Sequence, residues 1–284
     1  MDVLCACDEG YFPHAATMLC SVLEHNMGAR IHLFHDSISG SELDKLESFV
    51  ARRGSTIVFY EVNQAAFAGL RVDKWASIAV YFRLLAPRLL PSTLDKVLYL
   101  DCDIIVRRSL QGLWDTDISG YALAGVSNYD DDARKALGLP EGTKYFNSGV
   151  LLINLAYWRE RRVVEAATLF ARENSEKMQF WDQDALNGTL VNRWIEVPPT
   201  WNWQFPWTLP ENGNEFEPAV VHFITKDKPW HWLNAHILKG EYHRYRGKTP
   251  WRQYVPHEIN PNIRNAVRSL VPRHLRSWLR ARVS

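Results

Sequence analysis

The first hundred residues alternate strand and helix with a rhythm that few folds accept. Val3–Cys7 is a short apolar run, and His14–His25 carries Ala15, Met18, Leu19, Val22 and Leu23 at helical spacing. Ile31–His35 reads as a second strand and Ser41–Arg52 as a second helix, with Leu43, Leu46 and Val50 on one face. Thr56–Tyr60 is a third strand, Trp75–Leu85 a helix ending before Pro87, and Lys96–Leu100 a fourth strand. A βαβαβ order of this kind predicts a parallel sheet with helices on both faces and ligands at the carboxyl ends of its strands. The second half is less regular. Tyr121–Val126 and Gly149–Asn154 read as strands, Leu155–Asn174 as one long helix, and Asp182–Leu190 as the start of another. Val220–Ile224 is a short strand inside a Pro- and Trp-rich stretch, Glu196–Trp232. No repeat or low-complexity linker interrupts the chain, so residues 1–258 are expected to form one α/β domain, followed by a tail over 259–284.

Composition narrows the class. Hydrophobic residues make up 46% and charged residues 23% of the 284, which excludes a largely disordered or fibrous chain. Lys plus Arg number 33 against 32 Asp plus Glu, a balance that gives no field for nucleic acid. The balance is uneven along the chain. Six arginines and no acid follow Glu258, so the last 26 residues carry +6 and residues 1–258 carry −5. Cys5, Cys7, Cys20 and Cys102 form no CxxC pair and read as reduced core thiols of a cytoplasmic protein. Neither a leader-type opening nor an apolar run of ~20 residues is present, so no membrane span is expected.

Three clusters carry chemistry. In the first, Val97–Leu100 delivers Asp101-Cys102-Asp103 to the end of an apolar strand. Two neighbouring carboxylates resist joint ionisation unless a cation lies between them, and hard divalent ions such as Mn2+ and Mg2+ take such oxygen ligands. These residues alone leave two enzyme readings open. In a haloacid-dehalogenase-like phosphatase the first Asp is the nucleophile, placed early in the fold, with Thr or Val two residues after the second Asp. Here Ile105 stands at that position and a hundred residues come first. In a nucleotide-sugar glycosyltransferase the pair instead holds a metal that bridges a diphosphate. The second cluster is Val220–Trp230, where His222 suits Mn2+ and Lys228 can meet a phosphate oxygen. The third joins Tyr145–Leu155 to Trp181–Asn187, an apolar strand and a helix start flanked by amides and carboxyls that can meet sugar hydroxyls.

Together these segments resemble glycosyltransferase family 8, which includes glycogenin and bacterial lipopolysaccharide galactosyl- and glucosyltransferases. Val220–Trp230 is similar to its HFxGxxKPW signature, Tyr145–Leu155 to FNSGV(L)LIN, and Trp181–Asn187 to DQDxLN. Ala6–Tyr11 resembles the family's opening nucleotide loop and Ser77–Leu84 its SxxxYxRL helix. The resemblance runs in the family's order from about residue 2 to about residue 232. It implies a GT-A type fold, Rossmann-like, with a mixed central sheet flanked by helices. It implies that Asp101, Asp103 and His222 bind Mn2+, or Mg2+ in its place, and that Asp8 and Tyr11 hold uracil. Lys228 would contact the diphosphate, with Cys102 in the donor-contacting stretch. Arg83, Asn147, Asp182 and Gln183 would surround the donor sugar, the last three as catalytic candidates. One departure stands out: the family's Gly in HFxGxxKPW is Thr225 here, and a Cβ there crowds the approach to the phosphates.

The reaction implied is retaining transfer of galactose or glucose from a UDP-sugar to a hydroxyl of a glycan or glycolipid, such as lipopolysaccharide. Besides the phosphatase, a sugar-nucleotide-binding module without catalysis is the alternative. Thr200–Trp207 reads equally as an acceptor platform, with Trp201, Trp203 and Trp207 stacking on sugar and Asn202 or Gln204 reading hydroxyls, or as a packed apolar loop. The tail has apolar residues at near-helical spacing among arginines, the pattern of an interfacial helix on anionic lipid. That predicts a peripheral protein at the inner face of the cytoplasmic membrane.

Overall fold

Along the first strand, Val3, Cys5 and Cys7 face one apolar core while Leu4 faces the other. Leu98 and Leu100 alternate in the same way with Val97 and Tyr99, and Val150 and Leu152 with Leu151 and Ile153. Strands apolar on both faces belong in the middle of a sheet covered on both sides. The computed structural model describes residues 1–254 apart from 73–76, 129–130, 205–216, 225–227, 232–233 and 235. Its strands are β1 (Asp2–Cys7), β2 (Arg30–His35), β3 (Thr56–Glu61), β4 (Lys96–Leu100), β5 (Ile104–Val106), β6 (Leu123–Ser127), β7 (Phe146–Asn154), β8 (Trp194–Glu196) and β9 (Val220–His222). Its helices are α1 (Phe12–His25), α2 (Gly40–Ala51), α3 (Ala86–Leu89), α4 (Gln111–Trp114), α5 (Asp131–Ala136), α6 (Leu155–Glu160), α7 (Val163–Glu173), α8 (Trp181–Thr189) and α9 (Lys239–Arg246).

The large sheet has the order β3-β2-β1-β4-β7-β6-β8. β1, β2, β3 and β4 run parallel, β7 is antiparallel to both β4 and β6, and β8 is parallel to β6. The chain therefore reverses its direction of progress between β1 and β4, the point where an open α/β sheet leaves a crevice at its carboxyl edge. A small antiparallel sheet sits beside that crevice, with Ile104 of β5 opposite His222 of β9. Among the described residues no helix is long and apolar enough to cross a membrane.

Three elements differ from the sequence expectation. Leu155–Asn174 is two helices rather than one, because its buried face loses phase. Leu155 and Trp158 are buried, the next position on that face is Arg162, and burial resumes one residue late at Val163. Arg162 absorbs the slip in a left-handed conformation, φ 52°, a strained choice for a non-glycine residue. Of the helix expected over Trp75–Leu85, residues 75–76 lie outside the described residues and the rest is a 3-10 segment over Ile78–Leu85, with the Ser77 hydroxyl accepting from Ala79 N. Pro87 does not end it but sits in the first turn of α3, where a missing N–H costs nothing. Finally, β7 starts at Phe146, three residues before the expected strand, so the whole Asn-Ser-Gly stretch is strand.

Candidate active site

The carboxyl end of β4 places Asp101 in the crevice, and the turn into β5 places Asp103 beside it. Antiparallel pairing of β5 with β9 then carries His222 to the same point. One ligand atom from each of these three residues lies within 4.8 Å of the other two. Each carboxylate is divided between two tasks. Asp101 Oδ1 accepts from the Tyr99 hydroxyl at 2.8 Å and from Arg83 Nη2 at 2.9 Å. Its Oδ2 faces His222 Nε2 at 3.8 Å. Asp103 Oδ2 accepts from Lys228 Nζ at 2.6 Å, and its Oδ1 lies 3.2 Å from His222 Nε2. Two oxygens and one imidazole nitrogen thus converge with their other atoms already held, a donor set that fits a hard divalent ion such as Mn2+. Burial pushes the Asp103 carboxyl up, but Lys228 and His222 outweigh it and hold the group well below the usual carboxylate range.

Gly149 makes this convergence sterically feasible. It sits in β7, where a glycine ordinarily marks close approach. A Cβ there would stand 2.1 Å from His222 Cε1 and 2.8 Å from Asp101 Oδ2, so any side chain would evict one of them.

Behind the carboxylates lies a buried hub. Arg83, 3% exposed, donates to Ser148 O at 2.6 Å and pairs through Nε with Asp182 Oδ2 at 2.9 Å. Its guanidinium also lies over the Tyr99 ring, 4.1 Å from the centroid. Burial pushes the Asp182 carboxyl up to about 7, against the pull of Arg83 and with a further push from Asp101. Gln183, next along α8, is pinned at both ends: Oε1 accepts from Ser148 N at 2.9 Å, and Nε2 donates to the Tyr145 hydroxyl at 3.1 Å. Asp184 accepts from Gln179 N and Phe180 N at the start of the same helix. Asn147 Oδ1 accepts from Gly149 N at 3.0 Å and from Asn202 Nδ2 at 2.9 Å.

The other end of the crevice follows β1. Asp8 Oδ1 accepts from Tyr11 N at 2.9 Å, closing the loop into α1. Tyr11 meets Trp230 edge-on at 5.6 Å, and Trp230 stacks on His14 at 3.6 Å. His14 was not foreseen in the sequence, where it read as one more position on α1. Its Nδ1 and the Tyr242 hydroxyl are 2.6 Å apart, and burial, with Arg246 nearby, lowers its pKa to about 3.

Three sequence assignments change. The Cys102 thiol donates to Ala6 O at 3.2 Å and is buried in the core, so this side chain turns away from the crevice. Asn202 is 0% exposed and lies between Asn147 and His222, the latter at 2.9 Å, and so presents no group to an acceptor. Trp203 is core, 5% exposed, with its backbone bridged to β9 at Val221. Trp201 is half-buried, and a Cβ on Gly112 would lie only 3.2 Å from its ring. Trp207, Thr225 and the 259–284 tail lie outside the described residues.

Comparison with known proteins gives a consistent result. Residues 2–234 match the sequence profile described as Glycosyl transferase family 8. General stress protein A of Bacillus subtilis (strain 168) is 29% identical, over 92% of this chain and 98% of its own length. Lipopolysaccharide glucosyltransferase WaaO of Escherichia coli (strain K12) is 26% identical, over 94% of this chain and 83% of its own. Two matching streptococcal glycosyltransferases are longer, and the chain spans 37% and 61% of them. The galactosyltransferase LgtC, solved in complex with donor and acceptor sugar analogues, superposes with a TM-score of 0.82 at 27% identity, covering 89% of this chain and 99% of that one.

Proposed function

The chain belongs to glycosyl transferase family 8 and has the GT-A type of fold, and from that premise we propose that it moves galactose or glucose from a UDP-sugar to a glycan hydroxyl, with retention of configuration. The observation that carries this reading is the convergence of Asp101, Asp103 and His222 at the switch point of the sheet. The phosphatase reading gives way to the family. It also needs Asp101 as an attacking group, whereas its Oδ1 is held by both Tyr99 and Arg83.

In this proposal Asp101, Asp103 and His222 hold Mn2+, or Mg2+ in its place. A divalent ion bound there supplies Lewis-acid stabilisation of charge on the leaving diphosphate. Lys228 adds a positive charge to the same phosphates, exchanging Asp103 for a phosphate oxygen as the donor arrives. Asp8 and Tyr11 receive the uracil. Asn147 is anchored through Oδ1, and among the described residues its Nδ2 has no partner, which leaves it for a sugar hydroxyl.

Retention needs either a protein nucleophile or attack from the leaving-group side. Gln183 is neutral and held at both ends, and Asp182 is buried against Arg83. Both features favour front-face attack, with Asp182 and Arg83 shaping the sugar pocket and the departing phosphate taking the acceptor proton. The acceptor is lipopolysaccharide or another surface glycan, a reading supported by the relatives named above. A basic tail on anionic lipid would place the enzyme at the inner face of the cytoplasmic membrane. Vesicle flotation that is salt-sensitive and lost without residues 259–284 is the expected result, and tail-independent flotation contradicts it.

The main test is UDP release from a panel of UDP-sugars without acceptor, in Mn2+, Mg2+ or EDTA. Slow metal-dependent hydrolysis of one donor, abolished in Asp103→Ala, is expected. Donor binding with no turnover, even with lipooligosaccharide acceptor present, would favour a binding module instead.

A further inference from the structure

Asn202 links the donor pocket to the metal cluster through a chain of hydrogen bonds whose directions can be worked out from one backbone amide. Gly149 N can only donate, so the Asn147 atom 3.0 Å from it is the carbonyl oxygen. That same oxygen faces the Asn202 side chain at 2.9 Å, so Asn202 must present its NH2 there. Its carbonyl oxygen is then turned to His222 Nδ1, at 2.9 Å. An oxygen acceptor requires a proton on Nδ1, and a neutral imidazole with Nδ1 protonated carries its lone pair on Nε2. Nε2 is the atom that lies 3.2 Å from Asp103 Oδ1 and 3.8 Å from Asp101 Oδ2.

We infer that Asn202 is a positioning residue that fixes the tautomer and ring orientation of His222, with Asn147 and the Gly149 amide setting Asn202 in turn. The inference deepens the metal-site reading above and rests on it for its functional consequence. The chemistry recognised is that of a divalent cation that needs a bare imidazole nitrogen. A ligand histidine whose second nitrogen is held in this way keeps its basicity and aim, and losing such a partner typically weakens metal binding by roughly 10- to 100-fold. Burial adds a second reason. Asn202 is 0% exposed and His222 4% exposed, so in the intact protein the amide and not bulk water is the partner of Nδ1. The relay also gives Asn147 two roles, since the carboxamide that offers Nδ2 to the crevice sets the metal ligand through its other atom.

The test uses the full-length chain stripped of metal with EDTA. Two-bond proton–nitrogen correlation spectra at mildly alkaline pH should show His222 protonated at Nδ1 in the wild type. In Asn202→Ala the population should move toward Nε2–H, with Mn2+ binding, read from the paramagnetic resonance signal of free Mn2+, weakened roughly 10- to 100-fold. UDP release by that variant should recover at saturating Mn2+, a rescue that a loss of packing would not give. Asn202→Asp keeps an acceptor on Nδ1 but loses the donor that faces Asn147 Oδ1, so His222 should stay Nδ1–H in it even where Mn2+ affinity falls, and this tautomer reading keeps the test decisive if Asn202→Ala folds poorly. A wild-type His222 bare at Nδ1, or Asn202→Ala binding Mn2+ as tightly as wild type, overturns the inference. A wild type that shows Nδ1–H and yet binds no divalent ion overturns the metal reading and leaves the hydrogen-bond relay standing.

Discussion

The two ends of the crevice are built differently. At the β4 end, Asp103, His222, Arg83 and Asp182 are buried and Asp101 half-buried, and they hold one another through contacts between distant segments. At the β1 end, Asp8 and Tyr11 are half-exposed, joined by a local hydrogen bond, with the Tyr11 ring edge-on to Trp230. Charged groups out of water need their partners in place before any ligand arrives, whereas a stacking ring and a hydrogen-bonding carboxylate can adjust to the ligand they meet. Under the proposed function one half of this site is a fixed electrostatic device and the other an adaptable grip, so substitutions in the two halves should fail in different ways.

The largest expected effect is at Gly149. Gly149→Ala should lower metal-dependent UDP release by on the order of 100- to 1,000-fold, with Mn2+ affinity falling in parallel. A variant that keeps wild-type Mn2+ affinity would show that the fixed half tolerates displacement. Next is Arg83→Met, which strands the buried Asp182 and the half-buried Asp101. Breaking a buried pair from one side costs about 3–5 kcal/mol, so a marked fall in the chemical-denaturation midpoint is expected, and an unchanged midpoint would contradict the hub. Trp203→Ala should cost about 3–5 kcal/mol as a core truncation. It should reduce donor hydrolysis and transfer together, whereas a selective rise in acceptor KM would restore its reading as a sugar platform. In the adaptable half, Tyr11→Ala should raise the donor KM roughly ten-fold, equivalent to about 1.4 kcal/mol, with little change in melting temperature.

The last effect appears only on acidification. His14 has its pKa lowered from 6.5 to about 3. Between those values the unfolded chain binds a proton that the folded chain refuses, so this stabilisation is complete above pH 6.5 and is lost as pH falls toward 3. His14→Phe should flatten part of the acid limb of a stability–pH curve, and an unaltered limb would show that the ring titrates normally.

Much of the fold was legible because β1 to β4 are short, bounded apolar runs whose alternation needs no distant information. The break at Arg162 was legible in principle, since the buried face slips by one residue there, but a run of good helix formers hides the slip. The site was legible unevenly. Asp101 and Asp103 are two residues apart in sequence, but they gain His222 only through the pairing of β5 with β9. Residue types alone left them open to a phosphatase, and resemblance to a family supplied the choice. The link from Arg83 to Asp182 and that from Asn202 to Asn147 each cross more than fifty residues, and Trp203 is bridged to a strand further along the Pro- and Trp-rich stretch, so none of them has a local pattern. An Asn between two tryptophans looks like a sugar-binding surface until the strand beside it is known to cover it.

The central claim is that the fixed half grips one divalent ion through three ligand atoms. Ion stoichiometry tests it most directly: Mn2+ bound per chain, measured by titration in the presence of UDP, for wild type, Asp103→Ala and His222→Ala. The account predicts one tightly held ion in the wild type and none at the same concentration in either variant, with all three proteins folded by circular dichroism. Equal Mn2+ binding in all three would contradict it and move the metal elsewhere in the molecule.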